Sequence, residues 1–161
     1  MVLSIELAYG CEESIRSLFD EYTKLLVELD SGFENYLNMQ GYSSEVSNLK
    51  EKYGLPKGRI YIAYLDGEAA GCIALKPFDD VNCEMKRLYV RARYRGFGIA
   101  TLLAKTIIAD AKQIGYQSML LDTSPVLADA IFLYEKLGFY KIGKYNNNPL
   151  MDNIYMKLDL I

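Results

Sequence analysis

Residues 88–100 read Leu88-Tyr89-Val90-Arg91-Ala92-Arg93-Tyr94-Arg95-Gly96-Phe97-Gly98-Ile99-Ala100, and the fold turns on how this run is parsed. An extended, alternating segment stops at Val90. A loop with two glycines one residue apart follows, and beyond it Ile99, Leu102, Leu103, Ile107, Ala111 and Ile114 recur at the spacing of one helical face. The parse is strand, glycine loop, long helix. A helix start presents unpaired backbone N–H groups and the positive end of the helix dipole, so it favours an anion. Gly96 and Gly98 let the main chain approach such a group closely, where a side chain would hold a phosphate off, and Arg93 and Arg95 add positive charge. The lysine of a P-loop is missing after the last glycine, where Ile99 stands. A lone G-x-G is more often an ordinary tight turn; the flanking strand, the arginines and the long helix reverse that preference in favour of a phosphate cradle.

Toward the N-terminus, the strand that ends at Val90 starts near Asn82, and strict alternation puts Glu84, Lys86, Leu88 and Val90 on one face and Met85, Arg87 and Tyr89 on the other. Before it, Arg59 to Leu65 and Glu68 to Leu75 flank Asp66-Gly67, a strong two-residue hairpin signal, and Pro77 to Asp80 forms a loop. Val2 to Ala8 reads as a first strand. Ile15, Leu18, Phe19, Tyr22, Leu25, Leu26 and Leu29 mark an amphipathic helix that Asp30-Ser31-Gly32 stops, and a weaker helical stretch runs from Tyr42 to about Tyr53. Toward the C-terminus, Gly115 ends the long helix and Gln117 to Thr123 is a buried strand. Pro125 opens a helix that reaches Leu137-Gly138, and Phe139 to Gly143 and Asn153 to Leu160 are closing strands. The order predicts one domain over residues 1–161 with a mixed α/β sheet, not a doubly wound one.

Composition narrows the chemistry. The 161 residues suffice to bury a core without staples, and the 51% apolar and 24% charged residues are those of a globular domain. A formal charge of -3 argues against a nucleic-acid binder. The first residues do not read as a signal peptide, and no apolar stretch reaches the roughly 18 residues of a membrane span, so a cytoplasmic protein without a membrane partner is expected. Cys11, Cys72 and Cys83 are too few and too widely spaced for a disulfide framework or a zinc site, and no metal is expected. With no histidine, acid–base chemistry falls to Glu, Asp, Tyr, Lys or Cys. A Rossmann dinucleotide site would need a third spaced glycine early in the chain, which is not there.

Arg95-Gly96-Phe97-Gly98-Ile99-Ala100 resembles the R-x-x-G-x-G/A acyl-CoA signature of the GNAT acetyltransferases. Cys83-Glu84-Met85-Lys86-Arg87-Leu88-Tyr89-Val90 and Leu133-Tyr134-Glu135-Lys136-Leu137-Gly138-Phe139 are similar to the preceding strand and to a later helix of that family. With Leu121-Asp122-Thr123 and Tyr145 to Pro149 they resemble a bacterial GNAT subgroup, the likeness covering residues 59–160.

The resemblance implies an acyl-CoA N-acyltransferase fold: a mostly antiparallel central sheet, splayed between two parallel strands and flanked by about four helices. It implies acetyl-CoA as cosubstrate, contacted by Leu88, Tyr89, Val90, Arg95, Gly96, Phe97, Gly98, Ile99, Ala100, Thr101 and Ser124. Pantetheine would pair with the backbone of Leu88 to Val90 as an added strand, and the Val90 N–H would polarise the thioester carbonyl. An amine of reference pKa near ~10.4 is about one part in a thousand neutral at pH 7, a handicap of roughly 4 kcal/mol, so a proton acceptor is needed. By resemblance Glu84 is the candidate base, or a contact for the acceptor's cationic head; otherwise it is an ion-pair partner of Lys86 or Arg87. Tyr134 matches the general acid that protonates the CoA thiolate. Two positions depart from the family: Leu127 stands where many members carry a pantetheine-binding Asn, and Ala92 where the subgroup often has Pro. One anionic cofactor would account for the basic run Lys86, Arg87, Arg91, Arg93 and Arg95.

The resemblance implies an acceptor that is a small-molecule or peptide amine. Glu84 and the acidic balance favour a cationic one, and Tyr36, Tyr42, Tyr53 and the loop Tyr145 to Pro149 are candidates for its wall. Monomer and homodimer both remain open, and the alternative function is a non-catalytic acyl-CoA-binding or regulatory module of the same fold.

Overall fold

A computed structural model describes all residues 1–161. The elements run β1 (Leu3–Leu7), α1 (Glu12–Leu29), α2 (Gly32–Met39), α3 (Tyr42–Ser47), α4 (Leu49–Tyr53), β2 (Arg59–Leu65), β3 (Glu68–Pro77) and β4 (Asn82–Val90). After a 3-10 turn at Ala92–Tyr94 come α5 (Ile99–Ile114), β5 (Ser118–Thr123), α6 (Ala128–Lys136), β6 (Tyr140–Ile142) and β7 (Ile154–Asp159). The seven strands form one sheet in the order β1-β2-β3-β4-β5-β7-β6. Every neighbouring pair is antiparallel except β4 with β5. This is the mixed sheet that the order of elements predicts, mostly antiparallel as the family resemblance implies.

Helices cover both faces. On one, Ile99, Leu103 and Ile107 of α5 pack with Ile73, Leu75, Met85, Met119 and Met156 of the sheet. On the other, Ile15, Leu18 and Phe19 of α1 and Tyr53 of α4 cover Ile60, Ile62, Cys72 and Ala74. None of the three cysteines is bonded, and no helix is long and apolar enough to cross a membrane.

Four details differ from the sequence reading. There are six α-helices, not about four. Gly32 starts α2 directly after the stop signal, and the stretch from Tyr42 to Tyr53 breaks at Asn48, whose φ −144° and ψ 78° lie outside the helical region. A short polar side chain competes with helix by bonding nearby backbone, so a Ser- and Asn-rich run splits easily. Second, α6 begins at Ala128 and not at Pro125: Ser124 Oγ accepts the Val126 N–H at 3.3 Å and its carbonyl accepts the Leu127 N–H at 3.0 Å, closing a turn first. Third, β3 runs on to Pro77, where a loop was expected. Fourth, β4 does not alternate strictly. Cys72 pairs with Tyr89 but Ala74 with Lys86, so β4 carries one extra residue, and Arg87 sits there at φ 61°. This bulge moves Leu88 and Val90 to the face of Cys83 and Met85, away from that of Glu84.

Candidate active site

β4 and β5 share only three residue pairs, Asn82↔Ser118, Cys83↔Met119 and Glu84↔Leu120, before they part. β5 stays paired with β7 over its whole length, from Ser118↔Asp159 to Thr123↔Ile154. A bulge bends the strand that carries it, and the one at Arg87 falls just beyond the last shared pair. The result is a wedge in the sheet.

A groove of about 680 Å³ occupies the wedge. Leu88, Tyr89 and Val90 line one side; Arg95, Gly96, Gly98, Ile99, Ala100 and Thr101 line its mouth; Leu127, Leu133 and Tyr134 line the side of α6. The Arg91 N–H donates to Ala70 O of β3 at 2.8 Å. Successive N–H groups of a strand point to opposite edges, so that of Val90 faces the wedge. Gly98 enters α5 at φ 77° without a side-chain cap, and the first helical bond runs from Leu102 N to Gly98 O at 3.1 Å. The N–H groups of Ile99, Ala100 and Thr101 therefore have no helical acceptor and stand at the groove mouth. A Cβ at Gly96 or Gly98 would meet no protein atom within 4 Å, which leaves the cradle open to a ligand. Arg95 Nε donates to Val90 O at 3.1 Å, tying the loop to the strand end. These residues fit the pyrophosphate and pantetheine of an acyl-CoA.

Ten of the eleven residues named as acyl-CoA contacts are brought to the wedge or its inner end. Ser124 lies at the inner end, in a second cavity, and not in the groove. Phe97 lines neither, and is 46% exposed.

The second cavity, about 40 Å³, lies between α1, α2 and the parted ends of β4 and β5. Tyr22, Leu88, Leu127 and Tyr134 line both spaces, so groove and cavity meet there. Tyr134 is buried, its ring set against Phe139 at 5.7 Å, and burial raises its pKa above the ordinary phenol value; it stays protonated.

Asp122, next to the last residue of the buried strand β5, faces this cavity. Its Oδ2 accepts from Asn146 Nδ2 at 2.9 Å, from Asn148 Nδ2 at 3.4 Å and from the Tyr36 hydroxyl. Burial alone would raise its pKa, but the charge of Lys86 and these three donors hold it below the ordinary carboxyl value. Glu84 lines neither space. Its Oε2 accepts the Tyr145 hydroxyl at 2.6 Å and its Oε1 lies 3.4 Å from Lys76 Nζ, so its ion-pair partner is neither Lys86 nor Arg87. Burial and the charge of Glu84 push the Tyr145 pKa up. The segment Tyr145 to Asn148 is thereby pinned to both carboxylates.

The basic run is divided among several tasks, which corrects its assignment to one cofactor. Arg87 is buried and bidentate to Glu45 of α3, at 2.9 Å twice, with a third bond to Gln40 at 2.8 Å. Arg91 pairs with Glu21 of α1 at 2.6 Å, and Arg93 lies over the Tyr94 ring at 4.8 Å. Arg95 alone of the run lines the groove, and Lys86 faces the second cavity. Of the tyrosines expected at the acceptor wall, Tyr36 is there. Tyr53 is in the core and Tyr42 stacks under Arg87, bonded to Asp20. Sequence reasoning missed Tyr22 at the junction and the part of Asp122, although an acid within the apolar run Met119-Leu120-Leu121-Asp122 is itself a signal.

A splayed sheet whose wedge ends at an uncapped helix start, with a protonated phenol at its inner end, defines an acyl-CoA-dependent acyltransferase. The model of the acetyltransferase (GNAT) family matches residues 17–139, and the chain belongs to that family. An uncharacterized N-acetyltransferase of Schizosaccharomyces pombe is 39% identical over 88% of this chain and 88% of its own length. That relative is eukaryotic, so the likeness does not bear out a bacterial subgroup. Among solved structures, an acetyltransferase from Streptococcus agalactiae superposes with a TM-score of 0.78 at 19% identity, over 98% of both chains. The paia N-acetyltransferase from Thermoplasma acidophilum, in complex with coenzyme A, gives 0.74 at 17% identity over 99% of both. These two share the fold.

Proposed function

We propose that the protein moves an acetyl group from acetyl-CoA directly to a primary amine held in the second cavity, within one ternary complex. The observation that carries this reading is the junction at Tyr22, Leu88, Leu127 and Tyr134, where the groove for a thioester opens onto a small polar cavity. The amine nitrogen attacks the thioester carbon there, the Val90 N–H stabilises the oxyanion, and the carbon–sulfur bond breaks. Tyr134, kept protonated by burial, gives its proton to the CoA thiolate. The acceptor enters as an ammonium and loses two protons through Asp122, the carboxylate that faces the cavity: one leaves to solvent and the other returns through water to Tyr134.

Glu84 supports this arrangement through Tyr145, whose loop supplies Asn146 and Asn148 to Asp122. It is a positioning residue in this scheme and not the base. Leu127 replaces a polar pantetheine contact with an apolar one, and the main chain of Leu88 to Val90 carries the pairing instead.

Thiol release with a panel of amines tests the scheme. Tyr134→Phe should lower kcat about 10²-fold with little change in KM for acetyl-CoA, and Asp122→Asn should lower kcat by a similar factor. Glu84→Gln should cost less than either. If Glu84→Gln abolishes turnover while Asp122→Asn is benign, the roles of the two carboxylates are reversed.

A further inference from the structure

Lys86 is the one member of the basic run that the fold buries without a partner. It is 7% exposed and faces the second cavity. The ion pairs of the protein are Lys52–Glu45, Arg59–Asp110, Lys76–Glu84, Arg87–Glu45 and Arg91–Glu21; none involves Lys86. A lysine buried along its stem, whose ammonium meets only a small cavity and no ion-pair partner, is costly and is usually neutralised or used. The other charged groups facing the cavity are Arg87, which Glu45 and Gln40 already satisfy, and Asp122.

The strands explain why Lys86 and Asp122 do not join. Glu84 and Leu120 form the last shared pair of β4 and β5. Two residues further along each strand, on the same face, stand Lys86 and Asp122. In an unsplayed sheet they would be cross-strand neighbours. The wedge separates them, so that a positive and a negative group flank one small polar space.

Resting on the acetyl-transfer reading above, we propose that the acceptor is an amine that also carries a carboxylate, of the α-amino acid class, with its carboxylate bound by Lys86 and its amine held beside Asp122. The sequence suggests a cationic acceptor from Glu84 and the acidic balance; the cavity instead presents both signs of charge. A zwitterion bridges the two where a diamine would meet Lys86 with like charge. The volume of about 40 Å³ favours a short spacing between the two groups.

The test uses matched sets: each common L-amino acid, its carboxamide and its decarboxylated amine, assayed by thiol release at saturating acetyl-CoA. The free acid of at least one set should exceed its amide and amine in kcat/KM by roughly 10–100-fold, the range of a hydrogen bond between charged groups. Lys86→Met should bring that ratio toward one, and Lys86→Arg should restore part of it. In parallel, calorimetric titration of the same compounds into the CoA-bound protein reads recognition without chemistry. Carboxylate-selective binding without turnover would uphold this inference and sink the transfer reading. Turnover of amides and simple amines as fast as of every acid would do the reverse. Unfolding midpoints give a further check: Lys86→Met should leave the free protein as stable as wild type or more so. A clear drop would mean that Lys86 holds the fold and not a substrate, and would overturn the proposal.

Discussion

Gly98 shows how one residue can serve fold and ligand together. At φ 77° it turns the chain from loop into α5, a conformation that costs a residue bearing a Cβ about 1–2 kcal/mol. A Cβ placed there meets no protein atom within 4 Å, so the space that it would enter belongs to the groove. Gly98→Ala should therefore lower stability by about 1–2 kcal/mol in urea unfolding and weaken acetyl-CoA binding by more than that strain accounts for. Unchanged affinity would show that no phosphate lies against this turn. This residue was legible in the sequence because its signal is local: strand end, glycine, helix start. Lys86 and Asp122 were not. Lys86 stands in a run of five cations, and only the folded chain brings Glu45 to Arg87 and Glu21 to Arg91, leaving Lys86 without an ion-pair contact. Asp122 acquires its meaning from Tyr36, 86 residues before it, and from Asn146, 24 residues after it.

Among the elements, α2 to α4 depend on β4 through one side chain. Arg87 leaves the bulge and forks onto Glu45 of α3, which also takes Lys52 of α4 at 2.6 Å. Helices of eight, six and five residues are too short to persist alone, and α2 carries Phe33, Tyr36 and Leu37 of the second cavity. The period of two in the sequence concealed this device, because a left-handed residue within a strand is ordinarily announced by glycine, and here it is arginine. Burial alone would raise the Glu45 pKa, but Arg87 and Lys52 pull it from 4.5 to about 2. A carboxyl whose pKa is lower folded than unfolded stabilises the fold fully above its unfolded value. That contribution, about 3 kcal/mol, fades as pH falls from near 4.5 toward 2. Glu45→Gln should cost about 3–5 kcal/mol at pH 7, since it leaves Arg87 buried and uncompensated. Its difference from wild type in urea unfolding should narrow steadily below about pH 4.5. A difference independent of pH would mean that shape, not charge, holds the helices. Arg87→Met combined with Glu45→Gln should recover part of the loss.

Across the whole molecule, the sheet is continuous but weakly joined at its centre. β1 to β4 with α1 to α4 form one side, β5 to β7 with α6 the other, and the direct strand contact between them is three parallel pairs. α5 spans the join, packing Ile99, Leu103 and Ile107 against residues of both sides. A mixed sheet followed from the order of elements and the parallel pair from the family resemblance, whereas the place of β7 between β5 and β6 was not legible. Nor was the distance over which that pair survives, because it is fixed by a bulge and by β7 holding β5 away. A pantetheine arm lying in the wedge would touch β4, α5 and α6 at once, a site that exists only in the folded state. Ligand bound to the native form alone stabilises it by about 2.7 kcal/mol at a concentration of 100 times Kd. For a domain of this size that is a rise in Tm of roughly 5–10 °C. Differential scanning calorimetry with acetyl-CoA, CoA and adenosine 3′,5′-bisphosphate separates the contributions. The two coenzymes should give the full rise. The nucleotide, lacking pyrophosphate and pantetheine, should give a small one. Hydrogen exchange on the acetyl-CoA complex should slow at Val90 and at Ile99, Ala100 and Thr101, whose amides face the wedge or stand at its mouth. Full stabilisation by the nucleotide alone, with those four amides unprotected, would place the coenzyme somewhere other than between the parted strands.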